Sequence, residues 1–204
     1  MIRKWRDSIR LKINNYIIID NFFPDEICTE LREKSLNAKE YTKKYWDYKA
    51  LDFDNGDSES LQDISNKYVV PKIPLAEKYL RSWSFVYDNV ARGVLPHADA
   101  SFINVNIWVT PDKCVENHNK NGLIIYRKNA PKEWSYSHYQ HSVFETESYI
   151  KKYDSLKTSK YDRIPYKYNR AIIFKGNTFH STDNVHMKPG EKNRRVNYTF
   201  LYDY

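Results

Sequence analysis

The groups with the most chemical capacity are His97 and Asp99, separated by one residue, then His180, then Arg195. Two imidazoles and a carboxylate can occupy one face of an Fe(II) ion and leave the opposite face open for a co-substrate and O2. A guanidinium beyond the second histidine suits the far carboxylate of a 2-oxo acid bound at that open face, because its planar fork matches a carboxylate bidentately. The His-x-Asp triplet alone is weak, since a chain of 204 residues with six histidines produces such triplets readily by accident. Its meaning depends on the elements that carry the four residues.

Those elements divide the chain into two unlike parts. Residues 15–22, NYIIIDNF, are a β-rich apolar run ended by Pro24. Pro24, Asp25 and Glu26 then open a helix whose apolar stripe, Ile27, Leu31 and Leu36, reaches about Asn37. The polar, irregular stretch from Thr42 to Ser65 reads as a long loop, and Val69–Leu80 as a second helix starting near Pro71 or Pro74. Trp83–Tyr87 reads as a strand.

In the second part, FINVNIWVT (102–110) alternates Phe102, Asn104, Asn106 and Trp108 on one face with Ile103, Val105, Ile107 and Val109 on the other. GLIIY (122–126), RAIIF (170–174) and RVNYTFL (195–201) are further strands. Short strands after a helical N-terminal part predict a mainly β protein with supporting helices (α+β), a sandwich or barrel. In RVNYTFL, Arg195, Asn197 and Thr199 share one face while Val196, Tyr198 and Phe200 share the other, so the polar set faces a site and the apolar set the core. Arg194 has the opposite parity and is the weaker candidate. His97 and Asp99, in a tight turn leading into a strand, can both reach one ion at about 2.1 Å. His180 follows an apolar strand in the turn Gly176–His180.

Bulk composition excludes several classes. Mean hydropathy is −0.80, yet 16% of residues are aromatic, which disordered chains are not. A chain of this length is expected to form one domain over 1–204 and to bury roughly 70% of its unfolded surface. Cys28 and Cys114 show no metal spacing and predict no disulfide framework. No 18-residue apolar run and no signal-like N-terminus are present, so a cytoplasmic location and no membrane partner are expected. The net charge of +7 admits a nucleic-acid partner, but the lysines are scattered rather than clustered.

Taken with their order and spacing, LPHAD, NVNIWVTPD, GLIIY, APKEW, YNRAIIFKGNTFHSTD and EKNRRVNYTFL resemble the 2-oxoglutarate/Fe(II)-dependent dioxygenase superfamily. Within it the chain is most similar to a prolyl-hydroxylase-like group, and IIIDNFFPDEICTEL resembles that group's strand–helix opening. The resemblance implies a double-stranded β-helix (jelly-roll) core over 82–204 with an insertion at about 128–168, preceded by a strand and supporting helices over 1–81. It implies His97, Asp99 and His180 as iron ligands and Arg195 as the residue holding 2-oxoglutarate. Tyr87 matches a tyrosine that hydrogen-bonds this co-substrate, and Asn197 an asparagine of the nucleic-acid demethylase branch. Asn104 and Asn106 would line the same cavity or face water. The implied activity is hydroxylation of a small molecule or peptidyl residue with release of succinate and CO2. The alternatives are nucleic-acid demethylation and a non-catalytic jelly-roll binding protein. Asp99 speaks against a halogenating variant, because its carboxylate fills the position a halide needs. Asn121–Gly122 stands where a Gly-Gly is frequent, a mild departure in a turn.

The other histidines carry less. His138 and His141 are spaced i, i+3 without nearby Cys or Glu partners. His118 sits in a polar run, and His186 would line an entrance or nothing. The aromatics of 128–168 would form a lid or dock on the barrel's outside, with Tyr149, Ile150, Tyr153 and Leu156 on a helical stripe.

Overall fold

The computed structural model describes residues 15–52, 58–73, 75–141 and 154–203. The first apolar run forms β1 (Tyr16–Asp20), and the helix after it is α1 (Asp25–Leu36). The Pro24 carbonyl accepts the Ile27 and Cys28 amides, and Asp25 and Glu26 occupy the first turn, where the helix dipole favours acid. Asn169, at φ 56°, uses its side-chain amide to bond both the N–H and the C=O of Phe23, which pins this opening segment to the later strands.

The next stretch departs from expectation. Part of the predicted loop is a hairpin, β2 (Lys43–Lys44) and β3 (Tyr48–Asp52). The predicted helix over Val69–Leu80 is absent. Helix α2 (Ser58–Ile64) lies earlier and runs into a π-helical turn at Ser65–Val69. Pro71 has no N–H to give to the helical ladder, and the winding ends within one turn of it, where the Lys72 and Ile73 amides donate to the Val69 carbonyl. Lys78–Tyr87 is then a ten-residue strand, β4.

The remaining strands are β5 (Val90–Ala91), β6 (Ile103–Trp108), β7 (Leu123–Asn129), β8 (Tyr161–Ile164), β9 (Arg170–Lys175), β10 (Thr178–Thr182), β11 (Val185–His186) and β12 (Val196–Asp203). A short helix, α3 (Tyr136–His141), lies between β7 and β8. The strands form a seven-stranded antiparallel sheet, β1-β9-β6-β12-β4-β3-β2, facing a three-stranded sheet, β10-β7-β8, and a two-stranded ribbon, β11-β5. This is a jelly roll with helices on one side.

Alternation sorts the large sheet's two faces. Val105, Ile107, Ile173, Val196, Tyr198 and Phe200 face outward and bury Cys28 and Leu31 of α1 and Leu61 of α2. The opposite face looks into the roll, where Trp108, Ile172 and Phe174 pack with Leu123, Ile125 and Ile164 of the small sheet. Tyr149, Ile150 and Tyr153 lie outside the described residues. Leu156 is buried with Ala98, Ala130 and Phe179. Among the described residues no helix is long and apolar enough to cross a membrane.

Candidate active site

His97 and His180 face each other in an antiparallel bridge, each amide donating to the other's carbonyl at 2.9 and 2.8 Å. Opposed residues of such a bridge project to the same side, and the two rings come to 4.2 Å between centroids. His180 is the third residue of β10 rather than part of a turn: of the expected turn Gly176–His180, only Gly176 and Asn177 turn. Asp99 is placed by its own backbone: its N–H donates to the Gly176 carbonyl at 2.8 Å, clamping the segment before β6 onto the β9–β10 turn. The Asp99 carboxylate then stands 3.9 Å from His97 Nε2 and 3.4 Å from His180 Nε2. The three ligand atoms all lie within 4.8 Å of one another.

Hydrogen bonds behind this trio fix which atoms face inward. His97 Nδ1 lies 2.8 Å from the Leu95 carbonyl and His180 Nδ1 3.0 Å from that of Thr178. A carbonyl only accepts, so each ring carries a proton on Nδ1 and turns Nε2 toward the trio. Asn104 donates its side-chain N–H to the Asp99 carboxylate and holds it in place. Burial and the neighbouring His97 ring push His180 down to about 4, against the pull of Asp99 and the Thr178 carbonyl. The ring is thus neutral near pH 7, as a ligand must be.

A small cavity opens from this trio, with His97, Asp99 and His180 on one wall and Arg195, Asn197 and Thr199 on another. Arg195 is 1% exposed. Its guanidinium lies over the rings of Tyr87, Trp108 and Tyr166 at 4.6, 5.7 and 5.9 Å. Nη1 donates to Asn197 Oδ1 at 3.2 Å, while Nε has no partner. No carboxylate among the described residues pairs with this cation. Burying a guanidinium without a counter-ion is costly, so an unpaired one beside a cavity is a receptor for an anion. Tyr87 Oη sits 3.0 Å from Thr182 Oγ1, and burial raises the phenol well above its ordinary range, so it stays a neutral donor. Asn106 Oδ1 is buried and unpartnered on the same wall.

A wider groove adjoins His97 and Asp99 of the trio. Trp83, Phe85, Val94, His97 and Asp99 line both spaces and form the partition. Beyond it the groove is walled by Tyr48 and Asp52 of β3, Arg81 of β4 and Tyr139 of α3.

The structure brings together His97, Asp99, His180, Tyr87, Arg195, Asn106 and Asn197 around the inner cavity. Asn197 bonds Arg195 and so orients the guanidinium. Asn104 and Asn106 are both buried, which removes the alternative that they face water. Arg194 instead approaches Asp88 at 3.6 Å, outside the cavity. His118 is exposed, and His186 is half-buried in β11. His138 bonds Ser135 at the start of α3 and joins no metal-binding group among the described residues. Trp83, Phe85 and Thr182 were not singled out from sequence. The first two share the parity of Tyr87 on β4, which was the available signal.

A scan of protein-family models and a search of curated proteins both find no match. Solved structures do match in fold. The α-ketoglutarate-dependent epimerase SnoN of nogalamycin biosynthesis aligns with TM-score 0.67 and 11% identity, over 99% of this chain and 84% of that one. HygX from Streptomyces hygroscopicus, with nickel and 2-oxoglutarate bound, aligns at 0.64 and 5%, over 97% and 86%. A prolyl hydroxylase from Trichoplax adhaerens, in complex with a hypoxia inducible factor peptide, aligns at 0.59 and 13%, over 99% and 91%. The fold is that of 2-oxoglutarate/Fe(II) oxygenases.

Proposed function

We propose that this protein is an Fe(II)- and 2-oxoglutarate-dependent oxygenase that oxidises a C–H bond of a small molecule or peptidyl residue. The observation that carries the reading is Arg195: a buried guanidinium with no carboxylate partner, across one cavity from three converging metal ligands. The residues fit the metal, since two imidazoles with inward Nε2 atoms and a tethered carboxylate are the donor types an Fe(II) site of this kind would use.

The chemistry such a centre supplies is oxidative decarboxylation of 2-oxoglutarate to succinate and CO2, coupled to oxidation of a substrate C–H bond. The chain's own residues prepare it. Leu95 and Thr178 carbonyls fix the imidazole tautomers, and Asn104 fixes the carboxylate. Arg195, braced by Asn197 and the Tyr87 ring, takes the far carboxylate of the co-substrate with Tyr87 Oη and Thr182 Oγ1 beside it. Trp83 and Phe85 line both the inner cavity and the outer groove, so they would stand between a bound co-substrate and a substrate in the groove.

An epimerase and a prolyl hydroxylase share this fold, so the fold leaves the product undetermined. Hydroxylation is the outcome we infer. The test is succinate and CO2 release from 2-oxoglutarate with Fe(II) and O2, with and without candidate substrates. Release abolished by His180→Ala supports the assignment. Absence of both Fe(II) binding and 2-oxoglutarate binding would reduce the protein to a jelly-roll scaffold with another ligand.

A further inference from the structure

We propose that the outer groove selects a small molecule with a flat or cyclic body and one acidic group, held by ring faces and by Lys43. The inference rests on the inner cavity being the co-substrate site, which leaves the groove for the primary substrate. Pairing across β2, β3 and β4 places Lys43 opposite Ala50 and Ala50 opposite Phe85, so all three project from one face of the sheet. Asp52 likewise stands opposite Trp83. The groove floor is thus a ring platform of Tyr48, Phe85 and Trp83, with Tyr45 stacked on Tyr48 at 4.3 Å and Tyr139 lining the groove from α3. Such faces favour a planar or cyclic ligand body over an open chain.

Charge supplies the second half. Apart from the metal ligands, the ionisable groups lining the groove are Lys43, Arg81, Asp52 and the tyrosines. Arg81 and Asp52 approach to 3.8 Å and offset one another. Lys43 is exposed and has no acidic partner among the described residues, so the groove's outer end carries one uncompensated positive charge. Arg81 lies over the Trp83 ring at 4.9 Å, and its Nε and Trp83 Nε1 are unpartnered donors. With Arg81 offset by Asp52, whose Oδ1 is also unpartnered, Lys43 tips the groove's balance toward an acidic group over an amine. A nucleic-acid strand would need several cations following its backbone, where this groove has two.

The test uses the full chain loaded with Zn(II), with 2-oxoglutarate affinity measured first by calorimetry. With 2-oxoglutarate saturating, so that Arg195 is occupied, binding of 2-naphthylacetate, its neutral amide and the matched 2-naphthylethylamine is compared. The acid is expected to bind at least tenfold more tightly than the amide, with the amine weakest. Lys43→Glu should remove that preference, and Trp83→Leu should weaken all three probes alike. Equal binding of acid and amide, or a preference that survives Lys43→Glu, overturns the inference. So does tighter binding of a single-stranded thymidine octamer than of the acid. Failure of 2-oxoglutarate to bind would refute the co-substrate reading instead, and the probe ranking, which needs no turnover, would still decide the groove's chemistry.

Discussion

Replacing Arg195 by Met separates a functional cation from a structural one. At a guanidinium–carboxylate separation of about 4 Å and an effective dielectric of about 20, the attraction is about 4 kcal/mol. Losing it corresponds to roughly a thousandfold in affinity for 2-oxoglutarate. The folding side has the opposite sign. The unpaired buried cation costs several kcal/mol, and contacts with the Tyr87, Trp108 and Tyr166 rings return about 0.5–2 kcal/mol each. Met keeps most of the apolar contact without the charge. The ligand-free Tm of Arg195→Met should therefore hold or rise, by about 2–4 °C per kcal/mol gained in a chain of this size. The assay pairs calorimetric titration of 2-oxoglutarate into metal-loaded protein with thermal melts of both proteins, with and without 2-oxoglutarate. The reasoning is refuted if the wild-type melt ignores 2-oxoglutarate while Arg195→Met melts 10 °C or more lower, because Arg195 would then be a cation the fold itself requires.

Three further outcomes follow from particular contacts. Asn104→Ala releases the Asp99 carboxylate and should weaken Zn(II) or Fe(II) binding about 10- to 100-fold, read by competition with a chelator; an unchanged Kd would show that Asp99 is held by its backbone alone. Gly176→Ala would drive a Cβ into Ser101 and against the Asp99 carbonyl, so it should cost about 1–3 kcal/mol in a denaturant titration and also weaken metal binding, although Gly176 is no ligand. Asp20 is held at about 2 by Arg170 and Lys167. A depressed carboxyl stabilises the fold above its unfolded value near 4 and stops doing so as pH falls toward 2. Asp20→Asn should flatten stability between about pH 4 and 2, and an identical acid limb in both proteins would remove the ion pair from the account.

The inner site was legible because its chemistry is borne by side chains of fixed type and its placement follows strand parity. Arg195 and Asn197 share a face, as alternation requires, and β12 carries both to one cavity. The outer elements were not legible for a physical reason. Lys43–Lys44 and Tyr48–Asp52 have no strong intrinsic strand pattern, and they are strands because β4 offers a free edge. Pro71 and Pro74 are equally compatible with opening a helix and with closing one. Whether the flanking segment can pair decided the matter, and Lys78–Tyr87 pairs with β12 along nearly its whole length. The hairpin overlooked in this way carries the groove's far wall, so the co-substrate side could be read from sequence while the substrate side could not.

The same register argument shows why the two sides cannot vary independently. Trp83 stands opposite Asp52 on one neighbour and Thr199 on the other, and Phe85 opposite Ala50 and Asn197. Trp83 and Phe85 therefore each belong to a row that runs from the groove wall through the partition to the inner cavity. A change that widens the groove at Trp83 or Phe85 also moves Thr199 or Asn197, and Asn197 braces Arg195. Altered substrate range through β4 should come with altered 2-oxoglutarate affinity. Changes confined to Lys43, which touches no residue of the inner cavity wall in this register, should alter substrate choice alone. On the proposed function, specificity is retuned from the β2 edge of the sheet, while the interior rows are constrained by the co-substrate assigned to the inner cavity.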